Sequence, residues 1–305
     1  MKNRPLIAAC LPIILSMLLS SCSHGYNPLD KVKSIPRDSL VWLESYDGAS
    51  GYKNHKLTSD EKDLIQETFR TLPPVLQEAL ENDVYAIYFV DGMWYGALTS
   101  RIPDLNQCII FINPDTLSTS LSEWLTYRDN TIFSDASDTS CFVSGCGKKG
   151  EKYTGFLHTL THELAHVYDY IDRVTPYVED GMKDNIKADS LFYDTWKDRT
   201  QPRNGYGTSQ LEQVAFYGFG GCVSSSLAAE MLGWLSSSPF SSLYGATNWA
   251  DDFAETLTYY WLNKKLGLDY EVTYLQNGQE TAHFTWSESE AAKRWKPLCK
   301  EICGK

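Results

Sequence analysis

The sequence predicts an α+β fold: a small sheet packed on one helix that carries a paired-histidine turn, with additional helices around both. Three observations lead there. Leu157, Leu160, Leu164, Val167 and Ile171 recur at helical spacing, on the side opposite His162 and His166. Short runs rich in β-branched and aromatic residues, Val84 to Val90, Met93 to Leu98 and Cys108 to Ile112, precede that helix. A second pair of such runs, Tyr270 to Leu275 and Thr281 to Phe284, flanks Asn277-Gly278 and reads as a hairpin.

Taken from its start, the chain carries Lys2 and Arg4 and then an apolar run from Pro5 to about Leu19. The run is short for a membrane-spanning helix and reads as a secretory signal over residues 1–21. Leu19-Ser20-Ser21-Cys22 resembles the lipobox of bacterial lipoproteins. That resemblance implies cleavage before Cys22, acylation of its sulfur and attachment to a membrane through the lipid anchor. Ser23 is not an acidic retention signal, so the expected location is the cell envelope, on the outer membrane where there is one. Residues 22–57 read as anchor tether and lead-in, and 58–305 as the main domain.

Within that domain, Thr58-Ser59-Asp60-Glu61 is a capping box opening a helix to about Thr71. Pro73-Pro74 starts another, to about Asn82. The runs on either side of Asp91-Gly92 read as a hairpin, with Cys108 to Ile112 as the strand that follows. Ser118 to Arg128 reads as a helix, Gly218 to Gly221 as a turn, and Ser287 to Ile302 as the closing helix. His283 reads as an ordinary strand residue.

Removing the signal leaves 284 residues and moves the formal charge from −12 to −14, since Lys2 and Arg4 go with it. A chain this acidic is a poor partner for nucleic acid, which is not expected here. Six cysteines remain after Cys10 and Cys22 are set aside: Cys108, Cys141, Cys146, Cys222, Cys299 and Cys303. An even set in an exported protein points to disulfides. Cys141 and Cys146 are near enough in sequence to close a small loop, and a Cys299–Cys303 bridge within a helix is possible but strained.

The chemistry concentrates at His162-Glu163-Leu164-Ala165-His166. Residues four apart lie one above the other on a helix, so both imidazoles can reach one metal ion. Glu163 lies between them and can reach water at that metal, which makes the turn two zinc ligands and a general base. His158 continues the face one turn earlier and is read as a supporting or solvent-facing residue rather than a ligand. A catalytic zinc needs a third protein ligand. Asp251 and Glu255 share a face of a second helical stretch, with Ala254, Leu257 and Trp261 as its packing stripe. A carboxylate at the first position can bind the metal, and one at the second can orient a histidine.

His162 to Tyr170, followed by Tyr244 to Glu255, resembles the catalytic domain of the anthrax lethal factor type of gluzincin metallopeptidases. The resemblance covers about 155 to 262 in two blocks and implies a zincin-like metallopeptidase fold, a Zn2+ cofactor and a peptide or protein substrate. Carried over residue by residue, it makes His162, His166 and Asp251 the metal ligands, Glu163 the base, Tyr244 the donor to the transition state, and Glu255 the support behind a histidine. One departure stands out: the ligand position holds Asp where the family has Glu. Aspartate is one methylene shorter, so its helix must approach more closely, or Glu255 takes the role. Two other functions fit the same residues, a zinc-dependent amide hydrolase acting on cell-wall material and a binding lipoprotein without turnover.

Overall fold

Residues 26–176, 190–203, 205–207 and 214–304 are described by a computed structural model, a mixed α+β arrangement of two small sheets and the helices packed on them. The signal and Cys22 lie outside the described residues. Among those described, no helix is long and apolar enough to cross a membrane.

The lead-in folds onto the domain. Its helix α1 (Arg37–Asp47) ends at Gly48, and β1 (Lys53–Asn54) pairs with a later strand. The expected capping box forms: Thr58 accepts the N–H of Glu61, and the Glu61 carboxylate accepts the N–H of Thr58, opening α2 (Ser59–Thr71). Pro74 then opens α3 (Pro74–Asp83).

The first sheet has the order β1-β2-β4-β3, with β2 (Val84–Asp91), β3 (Ala97–Ile102) and β4 (Gln107–Ile112). The hairpin expected at Asp91-Gly92 does not form. Gly92 does turn the chain, at φ 96°, but β4 lies between β2 and β3, parallel to the first and antiparallel to the second. Burial explains the choice. Ala86 to Val90 are buried without alternation, as are Ile110 to Ile112, and such two-sided runs belong side by side inside a sheet. The half-exposed β3 takes the edge. One face of the sheet packs Ala86, Tyr88 and Phe111 against Leu43 of α1, and the other presents Ile87, Phe89 and Ile110 to the main core.

A short turn α4 (Asp115–Ser118) leads to α5 (Leu121–Asn130), opened by a second capping box between Ser120 and Glu123. Strand β5 (Ser140–Gly145) and the turn α6 (Gly147–Gly150) follow, then the histidine helix α7 (Gly155–Asp172). Farther on come α8 (Ala228–Ser237) and α9 (Trp249–Trp261). The Asn277-Gly278 hairpin forms as read: β6 (Glu271–Gln276) and β7 (Gln279–Thr285) meet at two residues with φ 54° and 75°, as a type I′ turn requires. β5 joins them as the third strand, and Ser289 caps the closing helix α10 (Glu290–Cys303).

The expected disulfides are not formed, and all six described cysteines are free thiols. Cys141 is near the start of β5 and Cys146 stands just past its end. Five residue steps of largely extended chain separate them by roughly 16 Å, well past the reach of a disulfide.

Helix α7 is buried on nearly every side from Gly155 to Val167. Leu157, Leu160, Leu164 and Val167 face the core as the periodicity predicts, while α9 packs along the histidine side. That crossing brings the two sequence blocks together.

Candidate metal centre

His162 and His166 meet at their Nε2 atoms, 3.0 Å apart. Asp251 Oδ1 lies 3.2 Å from His166 Nε2 and 3.4 Å from His162 Nε2. Donors about 2.05 Å from a tetrahedral centre lie about 3.3 Å from one another, so these three atoms fit the corners of a four-coordinate metal site with one corner left over. The shorter side chain reaches because Asn248 caps α9 there, accepting the N–H groups of Ala250 and Asp251 and starting the helix close to α7. Asn248 Nδ2 also donates to the other carboxylate oxygen of Asp251, which fixes its rotamer. Burial opposes the charge on Asp251, but the two imidazoles override it and hold the carboxyl well below the usual range. His162 responds in the opposite sense. Burial disfavours its charge, yet Asp251 and Glu255 raise its pKa to about 10.

Glu255 lies behind this triad. Its Oε1 is 3.0 Å from His162 Nδ1, an ion-pair distance although off-line for a hydrogen bond. A carboxylate on the Nδ1 side favours the tautomer that leaves the Nε2 lone pair for a metal. Glu255 is fully buried and is held in turn by Arg128 Nη1 at 3.0 and 3.1 Å, by Ser242 Oγ at 2.7 Å and by His158 Nε2 at 3.0 Å. Burial again works against its charge, and Arg128 foremost overcomes it, holding the carboxyl well below the usual range. Arg128 itself is buried, bonded also to Asp129 at 2.8 Å and to the Tyr259 hydroxyl at 3.0 Å.

A second set of donors, His158, His162 and Glu255, is close enough to hold a metal. A guanidinium already serves it: Arg128 Nη1 sits on both Glu255 oxygens and 3.4 Å from His158 Nε2. Burial lowers the pKa of His158, and Arg128 adds to that, so this imidazole is a neutral prop. It is buried, not solvent-facing. That leaves the His162–His166–Asp251 set as the one that could take an ion.

Glu163 is on the same turn, buried, with its Oε2 accepting the Thr99 hydroxyl at 2.7 Å. The Tyr244 ring lies 5.8 Å from that of His162. Glu163, His162, Tyr244 and Tyr217 border a cavity of about 30 Å³, room for one or two waters. Every proposed site residue among those described therefore lies in one place. Sequence reasoning passed over Thr99, Arg128, Ser242 and Tyr217, which arrive from separate elements. It saw His158, whose spacing four residues before His162 was the one available signal.

Comparison of the chain with protein-family models, with curated proteins and with solved structures finds no match. The likeness to gluzincins rests on the two sequence blocks alone.

Proposed function

We propose that the protein is a zinc-dependent metallopeptidase that hydrolyses peptide bonds at the His162–His166–Asp251 centre. The observation that carries this reading is the convergence of those three donor atoms beside a carboxylate that is not among them, Glu163. His162, His166 and Asp251 would hold the metal, and two imidazoles with one carboxylate suit zinc. When bound, zinc supplies Lewis acidity, polarising a substrate carbonyl and acidifying water to a pKa of about 7. Glu163 takes a proton from the attacking water and returns it to the leaving amine. The Tyr244 hydroxyl donates to the oxygen on which negative charge develops. Glu255, anchored by Arg128, keeps the His162 ring oriented.

Glu163→Gln tests the reading. With zinc content and melting temperature unchanged, hydrolysis of a quenched fluorescent peptide library should fall by roughly 10²–10⁴. Full activity in that variant, or no hydrolysis by the zinc-loaded parent, would overturn it.

The proposed setting is a membrane surface, with the catalytic domain tethered through lipid on Cys22. Cys22→Ser should abolish incorporation of labelled fatty acid and move the protein to the soluble fraction. An unlabelled parent protein would remove the anchor.

A further inference from the structure

Tyr217 is held in a backbone conformation that side chains avoid. Its φ of 59° and ψ of 20° are left-handed, and Gly218 follows at φ 76°. Such geometry persists only where the surroundings fix it. Here both sides of the residue are pinned from other elements. The Tyr217 N–H donates to Thr131 Oγ1 at 2.9 Å, and its carbonyl accepts Trp94 Nε1 at 2.7 Å. The Thr131 hydroxyl is itself committed to the Arg128 carbonyl at 2.6 Å, so the clamp runs back to the residue that anchors Glu255.

The clamp aims the ring inward. Tyr217 borders the same small cavity as Glu163, His162 and Tyr244, and its ring lies 6.2 Å from that of Tyr244, edge to face. Neither hydroxyl has a hydrogen-bond partner among the described residues, and both residues are partly buried at the cavity rather than packed in the core. Two unpaired phenols that face one polar cavity beside a candidate base are donors awaiting an acceptor. Burial pushes the pKa of both upward, so both stay protonated at neutral pH.

We propose that Tyr217 is a second hydroxyl donor of the catalytic centre, binding the substrate carbonyl oxygen alongside Tyr244 and stabilising the charge that develops there. The assignment rests on the metallopeptidase reading and adds a residue to it. The phenol keeps its proton throughout and contributes a hydrogen bond, strongest when the oxygen carries most charge. The strained backbone then has a reason, since an unstrained loop would carry the ring off the cavity.

Tyr217→Phe keeps the ring and its packing and removes only the donor. The expected result is a drop in kcat of roughly 10², with KM within about threefold and zinc content unchanged. Affinity for a phosphinic peptide, whose tetrahedral oxyanion occupies the same place, should fall by a comparable factor in calorimetry. Binding of an ordinary peptide to the Glu163→Gln background should not change. If Tyr217→Phe leaves both kcat and phosphinic affinity intact while Glu163→Gln is inactive, this assignment fails and the metallopeptidase reading stands. If Glu163→Gln is fully active, the reading itself fails and takes the assignment with it.

Discussion

The hydroxyl of Thr99 donates to Glu163 Oε2 at 2.7 Å, tying the edge strand β3 to the middle of the histidine turn. Both residues are buried, so the bond is shielded from competing water. It engages one carboxylate oxygen and restrains the rotation of the side chain. Thr99→Val preserves shape and deletes the donor. The expected cost is about tenfold in kcat, in line with the loss of one hydrogen bond to a charged group, with zinc content unchanged. Thr99→Ser should restore most of the rate. Steady-state kinetics on both variants, with metal analysis, decides the point, and a valine variant at full rate would show that the bond does not position Glu163.

Asp251 and Glu255 have separate duties in the proposed centre, and zinc affinity should separate them. Asp251→Ala removes a donor atom and should strip the site or weaken it severely. Glu255→Ala removes the partner of His162 Nδ1 and should weaken zinc by roughly 10–100-fold. It should also lower the melting temperature, because the buried Arg128 then keeps Asp129 as its one remaining carboxylate partner among the described residues. Chelator competition in one buffer gives both affinities. A full site in Asp251→Ala beside an empty one in Glu255→Ala would reverse the assignment.

Asp252 provides a pH signature. It is fully buried, its Oδ2 accepts Trp196 Nε1 at 2.9 Å, and its Oδ1 has no partner among the described residues. Burial pushes its carboxyl up to about 8. The folded state therefore binds this proton more tightly than the unfolded chain, whose value is about 3.9. Stability should fall as pH climbs from about 4 to about 8 and level off beyond, by a few kcal/mol at most. Asp252→Asn lacks this loss, so its melting temperature should gain on that of the parent protein across the same window. Parallel melting curves at pH 5, 7 and 9 would refute the account.

What the sequence made legible was local chemistry. Thr58 with Glu61, Asn277 with Gly278, and the leucines of α7 each act within a few residues, and each produced the element expected of it. The pairing of β2 with β4 was not legible, because Asp91-Gly92 signals a turn without saying which strand returns. The candidate site divides in the same way. His162, Glu163 and His166 share one helical turn, whereas Thr99 is 64 residues from Glu163 and Arg128 is 127 from Glu255. The adjacent Asp129 already pairs with Arg128, but the second buried carboxylate that helps make its burial tolerable arrives only with α9, and nothing near Arg128 in the sequence announces it.

Gly96 and Gly155 close on the same indole. A Cβ on Gly155 would lie 2.6 Å from the Trp124 ring, and one on Gly96 would lie 3.1 Å from its far edge. Gly155 is the first residue of α7, and Gly96 stands just before β3. Trp124 therefore acts as a spacer gauge: one indole fills the gap between the helix that carries the histidines and the strand that carries Thr99. A bulkier residue at either glycine would wedge that gap wider while leaving every polar group of the centre chemically intact. The alignment of this chemistry is thus calibrated by two missing side chains.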